Sequence, residues 1–437
     1  MPKHNPVKIF THTHTHTHTH THTHTHTHTH THTHVECSAP TIFTLTKLLA
    51  AYFSCRQTKR KTINALKFEL NLEANLLDLQ KQLKNYTYQP QRSICFIVTY
   101  PKVREIFAAD FADRIIHHLL VSEIEPYFER TFIHHSFACR KGKGTHEAVK
   151  KLYQSLNKVT KNHTRNACYG QFDIESFFTT IDKQVLYKAI ESKITKLKRH
   201  QAWKNEILYL LKVIVFHNPT DNYLIKGRRS LYKQLPIQKS LFGVAKDKGL
   251  PIGNLTSQFF ANVYLDPLDQ FIKRELKVKY YFRYVDDLVL LSPNLDQIKK
   301  WRGLIGRFLA DKLKLKLHPQ KDKYGSVFQG IDFVGYVIKP NYILSRRRVV
   351  NNLKTKLYLF NQRLLLYPHH QKQQALPFSR TPTKEEVKQA MAMINSYYGH
   401  FRQADCYRLR KNLYQQHFGI LKEYLKPMND YCYFQTK

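Results

Sequence analysis

The chain has 437 residues, 42% of them hydrophobic, with 70 Lys and Arg against 32 Asp and Glu, a formal charge of +38. That length supports a large core and two or three subdomains, and that charge attracts a polyanion, nucleic acid before an anionic membrane surface. A spanning helix is excluded by the lack of any apolar run of about 18 residues, a secretory signal by the polar N-terminus, and a disulfide or zinc framework by seven scattered cysteines without a Cys-x-x-Cys pair, which suits a reducing cytoplasm.

Residues 11–34 are twelve Thr-His dipeptides. Such a tract cannot bury a core, so residues 1–38 are expected to form a disordered tail. If extended, it would present alternate histidines on one face, a zinc or nickel ligand set. From about Ala39 the pattern is that of folded chain. Leu72, Leu76, Leu79 and Leu83 recur at helical spacing, and Tyr86 to Pro90 ends that helix. Ile94–Val103 reads as a strand, and Phe107–Ile124 as a helix whose apolar face is Ile115, Ile116, Leu119 and Leu120. Residues 167–183 read as a strand running into a short helix, and residues 216–250 as a polar, glycine-containing insertion. Ser257–Leu276 is predicted helical, with Ser257 as its cap. Tyr280–Ser292 reads as two strands, Gln297–Leu313 as a helix and Phe328–Ile338 as a strand. From Ser345 onward the pattern is helical and basic, with 17 Lys and Arg against 5 Asp and Glu over residues 346–437. The order strand, helix, helix, strand pair, helix, strand predicts an α+β class built on a split βαβ unit.

Two acidic segments stand out. In Phe172-Asp173-Ile174-Glu175-Ser176-Phe177-Phe178 an apolar strand ends in an acid, and Tyr281–Leu291 places Asp286 and Asp287 between two apolar runs. A tight turn there would project both carboxylates from a buried hairpin, and burying such charges side by side is costly without a cation. Hard divalent ions with oxygen ligands, chiefly Mg²⁺, remove that cost, and two of them serve phosphoryl chemistry. Asp182, just beyond the first segment, suits a helix cap.

Tyr284-Val285-Asp286-Asp287 matches the Tyr-x-Asp-Asp signature of reverse transcriptases, and Phe172–Phe178 resembles their first catalytic motif. The resemblance extends over roughly residues 90–420. It implies a right-hand polymerase: N-terminal helices and fingers in 39–166, a split βαβ palm in 167–344 and a basic helical thumb in 345–437. It also implies an RNA-directed DNA polymerase with two Mg²⁺ ions, Mn²⁺ substituting, held by Asp173, Ile174, Asp286 and Asp287. Phe178 resembles the steric gate that crowds a ribose 2′-hydroxyl. Lys102 and Arg104 resemble the fingers pair that grips the incoming triphosphate, a role suited to the guanidinium fork. Arg140, Lys143 and Gly144 resemble the second fingers motif, at the template. Lys321 is the candidate acid for the pyrophosphate leaving group, with His318 the alternate. Phe333 and Gly335 fall in the segment resembling the primer grip. Arg346, Arg347, Arg348, Arg402, Arg408, Arg410 and Lys411, interleaved with Tyr397, Tyr398 and Tyr407, resemble a thumb surface tracking a phosphate backbone.

Gly249–Gln258 resembles the loop beneath the templating base, with Ile252, Gly253 and Gln258 at the nucleotide. Many retroviral-type enzymes carry glutamine where this chain has Ile252, which cannot hydrogen-bond sugar or primer groups. Ile252 with Ser257-Gln258 resembles diversity-generating retroelement polymerases. That implies error-prone copying opposite template adenines, a dedicated template RNA, an RNA–DNA duplex product, dNTP substrates and a small basic accessory protein. A retron-like or defence polymerase is the alternative within the family, and a maturase-like RNA-binding protein the alternative outside catalysis. No RNase H, endonuclease or zinc module is expected after the thumb.

Overall fold

The computed structural model describes residues 41–57, 62–99, 102–366 and 378–437; the Thr-His tract lies outside the described residues. Three helices open the chain: α1 (Leu45–Arg56), capped by the Thr44 hydroxyl on Lys47 N, α2 (Ile63–Leu70) and α3 (Leu72–Lys84). The α3 leucine stripe is as predicted, with Leu76, Leu79 and Leu83 buried. The expected single strand Ile94–Val103 is instead a hairpin of β1 (Ser93–Val98) and β2 (Arg104–Ala108), paired from Ile94–Ala108 to Val98–Arg104. The helix expected from Phe107 therefore starts later, as α4 (Phe111–Glu129), where the Asp110 carboxylate accepts from Ala112 N.

A helix not anticipated from the sequence follows, α5 (Thr145–Val159), and then β3 (Cys168–Asp173), the single turn α6 (Phe177–Thr180), α7 (Lys183–Lys196) and α8 (Gln201–Phe216). Asp182 caps α7 as expected, its Oδ1 accepting from Val185 N at 2.9 Å. The insertion is more than a loop. It contributes β4 (Tyr223–Ile225), which pairs parallel to β1, so the small N-terminal sheet has the order β2-β1-β4. Next come α9 (Leu255–Gln270), β5 (Tyr280–Tyr284), β6 (Asp287–Ser292), α10 (Leu295–Leu313) and β7 (Lys323–Ser326). Asn254, not Ser257, precedes α9; Ser257 is buried inside its first turn. The meander β8 (Ile331–Phe333), β9 (Tyr336–Ile338) and β10 (Ile343–Ser345) leads to α11 (Arg347–Leu364). The remainder comprises β11 (Leu365–Leu366), β12 (Phe378–Ser379), α12 (Lys384–Phe401), α13 (Tyr407–His417), α14 (Leu421–Tyr424), β13 (Leu425–Met428) and β14 (Tyr433–Thr436).

The central sheet has the order β5-β6-β3-β7, antiparallel throughout. β3 and β5 run parallel with β6 between them, which is the split βαβ topology in the expected α+β class. Side-chain alternation sorts the two faces. Phe172, Tyr281, Leu288 and Leu290 join a first apolar cluster that runs from Ile42 to Leu317 and includes α1, α4, α9 and α10. Tyr169, Phe282, Val289 and Leu291 join a second, closed by α5 and the β8–β9 hairpin. A third cluster, Val350 to Phe434, belongs to the C-terminal helices. Among the described residues no helix is long and apolar enough to cross a membrane.

Candidate active site

The three acids meet where the central strands end. β3 is buried from Tyr169 to Phe172, and its last residue, Asp173, lies opposite Asp287, the first residue of β6. Tyr284 pairs with the same Asp287 across the β5–β6 turn, so Val285 and Asp286 form its tip. Val285 has φ +56°, a left-handed conformation unfavourable for a β-branched residue. Backbone bonds lock the acids in place: Ile174 N donates to Asp286 O at 3.3 Å, and His318 N donates to Asp173 O at 2.7 Å. Ile174 itself is buried, with its amide thus tied to the turn.

The electrostatics follow from crowding. Burial first, and then the Asp173 carboxylate, push the Asp286 carboxyl up to about 6. Burial pushes Asp287 up to about 7, against a hydrogen bond from Gln171 that favours its ionised form, while the charges of Asp286 and Asp173 raise it further. Lys321, half-exposed, forms an ion pair with Asp173. The sequence reading missed Gln171. Its Nε2 donates to Asp287 Oδ1 at 3.0 Å and to the carbonyl of Asp332 at 3.0 Å, tying the carboxylate to the β8–β9 hairpin. A glutamine at a core-facing position of an otherwise apolar strand was the available signal.

The donor set suits a hard cation: three carboxylates at one sheet end, two of them resisting ionisation chiefly because they are buried and then because they crowd one another. Among the described residues no three acid, histidine or cysteine side chains are gathered tightly enough to enclose a metal. Mg²⁺ takes one or two carboxylates and completes its shell with water and substrate phosphate, so an open set fits it better than a closed cage.

Three further segments that carry predicted site residues are stitched to one another. Phe178 is half-buried, its ring edge-on to Phe177 at 5.3 Å, and its carbonyl accepts from Leu250 N at 2.8 Å. Phe107 N donates to Ile252 O at 3.0 Å, stitching the Gly249–Asn254 loop to β2. Gly253, at φ +125°, lies where a Cβ would sit 2.8 Å from Ile106 Cγ2, so no side chain fits. Lys102 and Arg104 are exposed at the start of β2, and Gln258 is exposed on the first turn of α9.

Several expected contacts are redirected. Arg140 is not an open template ligand: it pairs with Glu129 and donates to the carbonyls of Ile133 and Ser136, both at 2.7 Å, bracing its own loop. Lys143 is half-buried over the Phe137 ring and donates to His134 O at 3.1 Å, while Gly144 opens α5. Phe333 is fully buried in the second cluster beneath Tyr284, so its ring cannot reach a primer. Gly335, φ +95°, faces the His400 ring on α12. Arg346 pairs with Asp332, whereas Arg347, Arg348 and Arg408 are exposed. Arg410 is buried against Cys432, and Tyr398, whose hydroxyl donates to Arg410 O, is fully buried; both serve the third core rather than a surface.

Residues 100–338, which carry every one of these sheet-end residues, match the family described as reverse transcriptase (RNA-dependent DNA polymerase). The chain is 23% identical over 327 residues to Protein YkfC of Escherichia coli (strain K12), 67% of this chain and 78% of that one. Among solved structures, it is similar to apo telomerase from Candida tropicalis truncated from its C-terminal domain (TM-score 0.44, 12% identity, 61% of this chain and 59% of that one). It is also similar to telomerase from Candida albicans with a fragment of telomeric RNA (TM-score 0.41, 12% identity, 76% and 60%). The chain thus spans about three fifths of those telomerase chains. With more than half of its length matching one family, and that half containing the paired acids, the chain belongs to the reverse transcriptase family.

Proposed function

We propose that this chain is an RNA-directed DNA polymerase that extends a primer along an RNA template, with Asp173, Asp286 and Asp287 as its metal-binding acids. The observation that carries this is the register that sets Asp173 against Asp287 with Asp286 at the adjoining turn tip. Asp173 and Asp286, with the backbone of Ile174, would hold Mg²⁺, and Asp287 would complete the set. Bound there, Mg²⁺ supplies a lowered pKa at the primer hydroxyl and charge for the departing pyrophosphate. The protein's own groups do the rest. Arg104 and Lys102 bind the triphosphate. Phe178, fixed through its carbonyl to Leu250, crowds the 2′-position and selects dNTP by clash. Lys321 donates a proton to the leaving group once its ammonium leaves Asp173.

The division into fingers (39–166), palm (167–344) and thumb (345–437), with the exposed Arg347, Arg348 and Arg408 toward an RNA–DNA duplex, belongs to the same proposal. So does the subtype: Ile252 beside the templating base, with Ser257-Gln258 after it, supports an adenine-mutagenic retroelement polymerase served by a dedicated RNA and a small basic accessory protein.

The test is primer extension on an RNA template with Mg²⁺ and sequencing of the product. Wild type is expected to synthesise DNA, and Asp286→Asn to lose at least ~10³-fold in rate, since the metal's stabilisation is worth several kcal/mol. Synthesis undiminished in Asp286→Asn sinks the metal assignment. Faithful copying of template adenines removes only the subtype, and Ile252→Gln is expected to lower misincorporation there.

A further inference from the structure

Beneath the carboxylate turn lies a buried charged network for which nucleotidyl transfer itself has no direct use. Tyr281 and Arg283 share the face of β5 that looks toward α9, opposite Phe282 and Tyr284. Arg283 and its partner Asp269, on α9, are both completely buried. Nε and Nη2 of Arg283 donate to the two Asp269 oxygens at 2.7–3.0 Å, and the Tyr281 hydroxyl donates to Oδ1 at 2.7 Å. That leaves Nη1, which donates to Asn262 Oδ1 at 3.2 Å and to the carbonyl of Val285 at 3.1 Å. Asn262 is also on α9, two turns before Asp269, and its Nδ2 donates to Ala138 O at 2.9 Å. The Arg283 backbone reaches the same segment: its N donates to His135 O at 2.9 Å, and its O accepts from Phe137 N at 3.1 Å.

A buried ion pair is a poor source of stability, because apolar side chains of the same volume usually do as well. An apolar side chain could not, however, donate to the carbonyl of the residue at the turn tip. Val285 holds φ +56°, against the preference of a β-branched residue, and Asp286 follows it directly. Release of the Val285 carbonyl would let the turn relax toward a commoner conformation and swing the Asp286 carboxylate away from Asp173.

We propose that Arg283 is a positioning residue for nucleotidyl transfer: its guanidinium, neutralised by Asp269 and oriented by Asn262, holds the Val285 carbonyl and so aims Asp286. The proposal rests on Asp286 being a metal ligand. Because the same clasp is tied to α9 and to the His135–Ala138 segment, it also fixes the turn relative to both of those elements.

The experiment is a double-mutant cycle on the full chain by primer extension. Arg283→Lys keeps a cation beside Asp269 and cannot reach Val285 at the same time. Its kcat is expected to fall about 10- to 100-fold, with KM for dNTP and primer–template affinity within about twofold, as for a misplaced catalytic group. In a Val285→Gly background the same substitution is expected to cost much less, because glycine holds φ +56° without help. A general loss of folding would act equally in both backgrounds, so equal losses, or a wild-type kcat in Arg283→Lys, overturn the proposal. If Arg283→Lys does not fold, Asn262→Ala, which leaves the ion pair whole, is read by the same criteria. Asp286→Asn is assayed beside them. Full activity in it overturns the metal assignment, whereas its inactivity combined with equal losses in the cycle overturns the positioning role alone.

Discussion

Gln171 holds Asp287 from the strand next door, and with the same amide it holds the carbonyl of Asp332. The amide therefore ties the Asp287 carboxylate to the β8–β9 hairpin. Gln171→Met keeps the volume and removes the donor. A hydrogen bond to a charged group is worth ~1.5–3 kcal/mol, so the Mg²⁺ concentration for half-maximal extension is expected to rise about tenfold or more. An unchanged Mg²⁺ titration would show that Asp287 needs no such support. At this scale the acids were legible because carboxylates between apolar runs have few other uses. Gln171, Asn262 and Arg283 were not, because one polar residue inside a strand or helix says nothing about which distant carbonyl it meets. Arg140 and Arg410 misled for the converse reason: an arginine reads as surface charge until its carboxylate, carbonyl or sulfur partner is seen.

Among the elements, the 216–250 insertion is the one whose character changed most. Its composition, seven Lys and Arg against two Asp, reads as a solvated loop. In the fold it is anchored both to β2 and to the segment around Phe178. The buried Glu105 carboxylate on β2 accepts from Ser240 Oγ at 2.7 Å and Leu241 N at 2.8 Å. The Thr179 hydroxyl, beside Phe178, donates to Gln238 O at 2.7 Å, and Gly249 N donates to Ile181 O at 2.8 Å. The segment is thus a strut between Arg104 and Phe178. Glu105→Ala is expected to free it at a cost of ~2–3 kcal/mol, read as faster tryptic cleavage at Lys239, Lys246 and Lys248 with the rest of the chain protected. An unaltered cleavage pattern would mean that Glu105 is not the anchor. Long periodic helices such as α3 and α10 were legible from spacing. The β1–β2 hairpin was not, since no glycine or asparagine marks a turn between its two apolar runs, and α5 was hidden by its lysines.

Across the whole molecule, buried histidines set the acid limit. Burial pushes His117 down to about 3, helped by the charges of His217, His118 and Arg114, and it pushes His135 and His400 down to about 4. A depressed folded pKa means that the unfolded chain takes up the proton first. The stability these groups confer is complete above about pH 6.5 and is lost as pH falls from there toward their folded values. One turn earlier on α4, burial raises the Asp113 carboxyl to about 6, so the two groups affect stability in opposite senses across this range. His117→Gln isolates one of them. Relative to wild type, the variant is expected to gain ~1.4 kcal/mol per pH unit between about pH 6 and 4, measured by urea midpoints. A difference between the two proteins that stays constant with pH would rule out a neutral buried His117. The α+β class and the central topology were legible because the strand–helix order admits few arrangements. The sharing of one core by the N-terminal helices and the central sheet was not, because contacts between residues far apart in sequence leave no local pattern.

That shared core, from Ile42 to Leu317, has a consequence during synthesis. The apolar face of α4, on which α1 also packs, has its partner in α9, which the ribosome makes more than 120 residues later. At roughly 5–20 residues per second, the first helices wait about 6–25 s for the helix that covers them. Throughout that interval the nascent chain exposes leucine and phenylalanine surface beside a strongly basic sequence, close to ribosomal RNA. Yield in the cell should therefore depend on chaperone capacity and translation speed more than on the stability of the finished protein.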